Sequence, residues 1–238
     1  MAHRSFARFD DTLLTAIVVC AFAVGTLGLS HTVEAAKALP EYSPEGLKLI
    51  PKTKVSAVYV REGADFKGYD KVAILDCYVA FRKDWQRDQN SSKTFKVSDS
   101  DVANIKTYLA EEFKKVFSAQ LTAKGETVTD SAGTGVLILR PAIVNLDVNA
   151  PDTMEAGRTR TFSASAGQAT LYLELYDSVT SELLARAIDV EEVGDKGYIG
   201  VRNGVTNRAD ADRVLKKWAD LLGTFLQNAR ASAAATPK

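Results

Sequence analysis

Apolar residues recur with two different periods along this chain, and the switches between them mark its elements. Val55–Val60 (VSAVYV) alternates and reads as a short strand. Val72–Phe81 (VAILDCYVAF) is apolar on nearly both faces, so it is expected to be a central strand covered on both sides. In that reading Ala73, Leu75, Cys77, Val79 and Phe81 share one face, and Val72, Ile74, Asp76, Tyr78 and Ala80 share the other. The run Arg82–Lys96 is polar, mixed in charge and expected to be a loop.

At Ser98 the period becomes helical. Ser98 and Asp101 have the spacing of a capping box, and Val102, Ile105, Leu109, Phe113, Val116 and Leu121 form one apolar stripe behind it. Gly125 stops the helix. Glu126–Asp130 is a candidate edge strand, and Val136–Val148 is a long strand in which Pro141 predicts an edge or a bulge. Beyond that proline, Ala142, Val144, Leu146 and Val148 are expected to face inward. Gln168–Asp177 sets Leu171, Leu173 and Leu175 against Tyr172, Glu174 and Tyr176, and Leu183–Val193 returns as its hairpin partner. Glycines 194, 197, 200 and 204 predict a flexible connection. A second helix starts near Asn207 and Asp210, with Val214, Leu215, Trp218, Leu221, Leu222 and Phe225 as its apolar face.

These elements predict an α+β class: a mixed, largely antiparallel sheet with two amphipathic helices packed on it, in a single domain. The domain is expected over 55–228, after an extended lead-in at 36–54 that holds Pro40, Pro44 and Pro51. Residues 229–238 read as a disordered, alanine-rich tail.

The first residues point to export. Arg4 and Arg8 precede an uncharged apolar run from Leu13 to Leu29, and Val33-Glu34-Ala35 offers a cleavage site before Ala36. That is the pattern of a secretory signal peptide over 1–35, which places the folded part in the periplasm or outside the cell. Val19 stands where lipid attachment at Cys20 would want a small residue, so a cleaved, unacylated product is expected, with no membrane span in the mature chain.

Composition narrows the chemistry. Both histidines, His3 and His31, and one of the two cysteines fall inside the leader, so the mature chain keeps Cys77 as its one thiol. Triads, Cys-His pairs and histidine-bearing zinc sites therefore lack their imidazole. Thirty basic and thirty acidic residues balance, which disfavours nucleic acid as a partner. No cofactor or metal site is expected. Asn145, Asp147 and Asn149 have the spacing of calcium-loop ligands, but Ala150 and Ala156 stand where the glycine and the bidentate glutamate belong, so the trio reads as an outward strand face. Glu111-Glu112 and Glu191-Glu192 are adjacent acids that do not converge on either a helix or a strand. Asp76 interrupts an apolar strand and reads as a hydrogen-bonded aspartate. Tyr172 and Tyr176 are expected to pack beneath a helix or the lead-in.

One connection is longer than its neighbours require. Asn149–Ser165 joins two strands that a short turn could join, and long loops inside compact domains are often functional. It carries Met154, Arg158, Arg160 and Phe162, residue types enriched in interface cores, which makes it the candidate partner-binding loop.

Several runs together resemble a known family. Tyr59–Phe66 (YVREGADF), Tyr69-Asp70-Lys71-Val72, Asp84-Trp85, Leu139–Ile143 (LRPAI), Leu173–Ser178 (LELYDS) and Lys217-Trp218-Ala219-Asp220 are similar to the uncharacterised bacterial envelope family known as domain of unknown function 3313. The resemblance covers roughly residues 40–228 and implies envelope location without implying an activity. Its members are often exported lipoproteins, a pattern from which Val19 departs. The expected role is that of a non-enzymatic envelope protein binding another envelope protein or the cell wall. The alternatives are a carboxylate-dependent hydrolase of a periplasmic glycan and a carrier of a small apolar ligand.

Overall fold

The computed structural model describes residues 39–91, 96–148, 161–163, 167–193, 200–202 and 204–232, all within one compact unit, Ala38–Lys238. In chain order its elements are β1 (Lys48–Ile50), β2 (Ala57–Val60), β3 (Lys71–Ile74), β4 (Tyr78–Phe81), α1 (Trp85–Ser91), α2 (Asp99–Ala123), β5 (Thr127–Thr129) and β6 (Val136–Val148). There follow β7 (Thr161–Ser163), β8 (Gly167–Asp177), β9 (Leu183–Val193), β10 (Gly200–Arg202) and α3 (Gly204–Ser232). The main sheet runs β1-β2-β9-β8-β6-β3-β5, with β4 also paired to β6. Contacts of β3 with β5 and β6, and of β4 with β6, are parallel; the rest of this sheet is antiparallel. The class is therefore α+β, as the periodicity predicts.

Helix α2 starts where its cap demands. Ser98 Oγ accepts from the amide of Asp101, and Asp101 Oδ2 accepts from the amide of Ser98 at 2.9 Å. Its buried side chains include Leu109, Phe113, Val116, Phe117 and Leu121, with the rings of Phe113 and Phe117 stacked 3.8 Å apart. From α3, Val214, Leu215, Trp218, Ala219, Leu222 and Leu226 join them over Leu137, Leu139, Leu171, Leu173 and Leu175 of the sheet. Each fully buried aromatic or leucine there contributes about 2–3 kcal/mol of transfer free energy. The opposite sheet face holds a smaller cluster of Leu47, Ala57, Tyr59 and Leu183, against which Leu49, Tyr176 and Ile188 pack. The lead-in thus supplies a strand and a buried leucine, and Tyr176 does lie against that cluster.

Pro141 stands inside the sheet and not at an edge: it is paired with Leu173 on one side and faces the junction of β3 and β4 on the other. The amide of Leu75 donates to the carbonyl of Leu139 at 3.0 Å. In a parallel ladder the next bond would run from the amide of residue 141 to the carbonyl of Leu75. Proline has no such hydrogen, and the neighbouring strand breaks there, between Ile74 and Tyr78. The expected single strand over 72–81 is therefore two strands. The break also changes the phase: Val72, Ile74, Cys77 and Val79 are buried, whereas Leu75 is 45% exposed and Tyr78 65%. On β6 the buried positions are Val136, Leu137, Leu139, Pro141 and Ile143, then Leu146 after a register shift between Val144 and Asp147. This is opposite to the expected phase at 142 and 144.

Two further expectations change. The polar run after β4 contains a short helix, α1, held because Trp85 is buried and stacks on Phe81 with centroids 4.0 Å apart. At the other end α3 continues to Ser232, past Ala229, because Arg230 is drawn to Glu126 across the C-terminal end of α2.

Candidate functional site

Three interior strands meet at one end of the sheet: Val148 of β6 and Val193 of β9 both pair with Gly167 of β8. The connections 149–166 and 194–203 both spring from this corner. It is firmly built. Trp85 donates its indole N–H to the carbonyl of Val148 at 3.2 Å. Arg82 donates to Asp147 at 2.6 Å and to Asp88 at 2.7 Å, tying β4, α1 and β6 together. Gly167 has φ +148, and a Cβ there would lie 1.9 Å from the carbonyl oxygen of Asp147, so only glycine lets β8 approach β6 this closely.

Of the loop residues expected to bind a partner, Met154, Arg158 and Arg160 lie outside the described residues. Phe162 lies in β7, which pairs antiparallel with β10 and sets Phe162 opposite Val201. The pairing joins the segment before β8 to the segment after β9. The sequence predicts irregular chain at both places, because strands of three residues carry too little periodicity to register.

The sheet face away from α2 and α3 carries a charged network that the alternating pattern of β8 only hints at. Glu174 accepts from Arg140 Nε at 2.8 Å, from Arg186 Nε at 2.9 Å and from the hydroxyl of Tyr176 at 2.9 Å. Arg186 also grips Glu45 with both terminal nitrogens, at 2.8 and 2.9 Å. Burial works to raise the Glu174 carboxyl, but its bonds from Arg186, Tyr176 and Arg140 outweigh that and hold it below the ordinary value. The Arg186 guanidinium, with the Ser43 hydroxyl, brings Glu45 down to about 2. The guanidinium of Arg140 stands 5.1 Å from the ring centre of Tyr176. These groups satisfy one another, and the arrangement holds the lead-in against the sheet.

The remaining acids are dispersed. Asp76 is exposed in the break between β3 and β4. Glu112 pairs with Lys115 along α2, and Glu191 with Lys217 of α3 at 2.5 Å. Asp147 serves Arg82, and Asn145 takes a left-handed φ of 51° in the register shift of β6, so neither continues a calcium-loop pattern. Among the described residues no three His, Cys, Asp or Glu side chains converge as metal ligands. Cys77 is buried, and burial pushes its thiol up to about 12.

The family model described as Protein of unknown function (DUF3313) matches residues 42–222 of the chain. No curated protein matches the sequence. Among solved structures, a Xanthomonas campestris protein of the DUF330 family is similar at 9% identity and a TM-score of 0.39, covering 74% of this chain and 94% of its own. PelC from Paraburkholderia phytofirmans, solved as a dodecamer, is similar at 11% identity and a TM-score of 0.34, with 69% and 96% covered. A minor lipoprotein from Acinetobacter baumannii is similar at 10% identity and a TM-score of 0.31, with 67% and 94% covered.

Proposed function

This chain belongs to the family described as Protein of unknown function (DUF3313), and from that premise we propose that it is an exported, non-enzymatic protein of the cell envelope. It binds another envelope protein or the cell wall through the connection Asn149–Ser165. The leader pattern over residues 1–35 supports export. The observation that carries the binding role is the root of that connection. It leaves a corner fastened by Trp85, Arg82 and Gly167 and returns through β7, which is itself tied to β10. A binding segment on a rigid root loses less on capture than one hung from a loose end.

The test replaces Arg158 and Arg160 with alanine and Phe162 with serine in the full chain. Crosslinking pull-down from intact cells and the melting temperature are then compared with the parent. Unchanged melting with lost partners is the expected result. A lowered melting point with unchanged partners would make the segment structural and overturn the reading. No change in either would also remove these residues from the interface.

A further inference from the structure

The lead-in over 39–50 is a folded unit in its own right. The Ser43 amide donates to the Leu47 carbonyl at 2.8 Å, the Leu49 amide to the Glu41 carbonyl at 2.8 Å and the Gly46 amide to the Ser43 carbonyl at 2.9 Å. Ser43 Oγ bonds Glu45 at 2.9 Å and takes the amide of Leu47 at 3.2 Å. This strap docks on one margin of the sheet only. Leu47 is fully buried against Ala57, Tyr59 and Leu183, β1 pairs with β2, the Tyr59 hydroxyl reaches the carbonyl of Pro40 at 3.1 Å, and Glu45 fills the fork of Arg186.

The connection back into β2 is strained at one residue. Ile50 and Val58 are register partners, and between them Pro51 is followed by Lys52 at φ 58°, a left-handed backbone that a lysine side chain disfavours. Straightening this segment relieves Lys52 and swings the strap away intact. The groove it leaves is complementary to one sequence in particular, that of the strap itself, and every other copy of the chain carries it.

We propose that the strap is an exchangeable arm: two copies of this chain trade their straps and form a symmetric dimer. Each groove then keeps its buried leucine, its β1–β2 pairing and its Glu45–Arg186 fork, now supplied by the other copy. Exchange regains all the docking contacts and sheds the strain at Lys52, so concentration sets the balance between the two forms. This inference is independent of the role assigned to the 149–165 connection.

A charge reversal tests it. Glu45→Arg places like charges between the strap and its own groove, and so does Arg186→Glu in a second protein. Only exchange between the two proteins gives both straps an oppositely charged partner at position 186: the strap carrying E45R meets the groove carrying R186E, and the native strap meets the native groove. With both expressed as the full chain under different tags and then mixed, light scattering is expected to show a doubling of mass and both tags to co-purify one to one. A mixture that stays monomeric while both components give a folded circular-dichroism spectrum overturns the proposal. Should Arg186→Glu fail to fold, Lys52→Pro leaves groove and strap untouched and forbids the left-handed φ of 58° on which the turn depends. That variant is expected to be a dimer, and a folded monomer would defeat the idea.

Discussion

Trp218 of α3 donates its indole N–H to Oδ2 of Asp189 on β9 at 2.9 Å, in a site where both side chains are buried. The other carboxylate oxygen accepts from the amide and the hydroxyl of Ser56, at 3.0 and 3.1 Å. One aspartate therefore joins the closing helix, the sheet and the entry to β2.

Trp218→Ala is expected to cost roughly 3–5 kcal/mol, because it opens a cavity and removes a donor from a buried carboxylate. Trp218→Phe keeps most of the volume and is expected to cost less. Urea denaturation measures both, and a loss below one kcal/mol for the alanine variant would contradict the packing described.

Truncation after Ala229 removes Arg230, which donates to Glu126 Oε1 at 2.6 Å and to Oε2 at 2.8 Å. The Glu126 side chain is 1% exposed and would be left without its charge partner. The expected loss is about 3 kcal/mol, and Glu126→Gln in the truncated protein should recover part of it. Equal denaturation midpoints for full and truncated chains would speak against the clamp.

Cys77 is expected to resist thiol reagents in the folded protein and to react fully after denaturation, since it is 6% exposed and its thiol stays protonated. Labelling followed by mass spectrometry reads this directly. Fast modification of the folded protein would show that the junction between β3 and β4 opens readily.

Stability should fall at both ends of the pH scale. Asp177 is held down to about 2 by the amide of Thr180 and the hydroxyl of Tyr69, and Glu45 to about 2 by Arg186. Their contribution is full above the ordinary carboxylate range near 4 and is lost as pH falls toward 2. Burial, with the bond to Asp177, pushes Tyr69 up to about 12. Its contribution is full below 10 and is lost as pH climbs from 10 to 12. In melting curves taken across pH, Tyr69→Phe should flatten the alkaline limb and, because Asp177 loses that donor, soften the acid limb as well. An unchanged alkaline limb would assign alkaline loss to other groups.

The mature protein is expected to begin at Ala36 without a lipid. Intact mass of protein recovered after osmotic shock decides it. A diacylglycerol increment on a chain starting at Cys20 would replace export as a free protein with anchorage.

The two long helices were legible because capping and period act locally: Ser98, Asp101 and the stripe through Phe113 lie within a few turns of one another. The alternation of β8 was legible too, since Leu171, Leu173 and Leu175 meet the helices directly. What escaped depends on partners far along the chain. Arg230 extends α3 because of Glu126, and Glu174 is buried because arginines from β6 and β9 meet it. The phase of residues 72–81 was misread because its cause, a proline on β6, lies beyond the helix that separates the two strands. As for the candidate loop, its root at Trp85 and Gly167 was invisible in a run of polar residues.

That proline has a bearing on folding as well as on form. Strands whose side chains repeat every second residue can pair two residues out of step with little loss of apolar matching. Here such a slip would set the nitrogen of Pro141 against a part of its neighbour that needs a donor. The true gap, at 75–77, would then face residues that have donors to spare. The proline therefore penalises slipped registers and favours the one pairing in which the neighbouring strand is already broken.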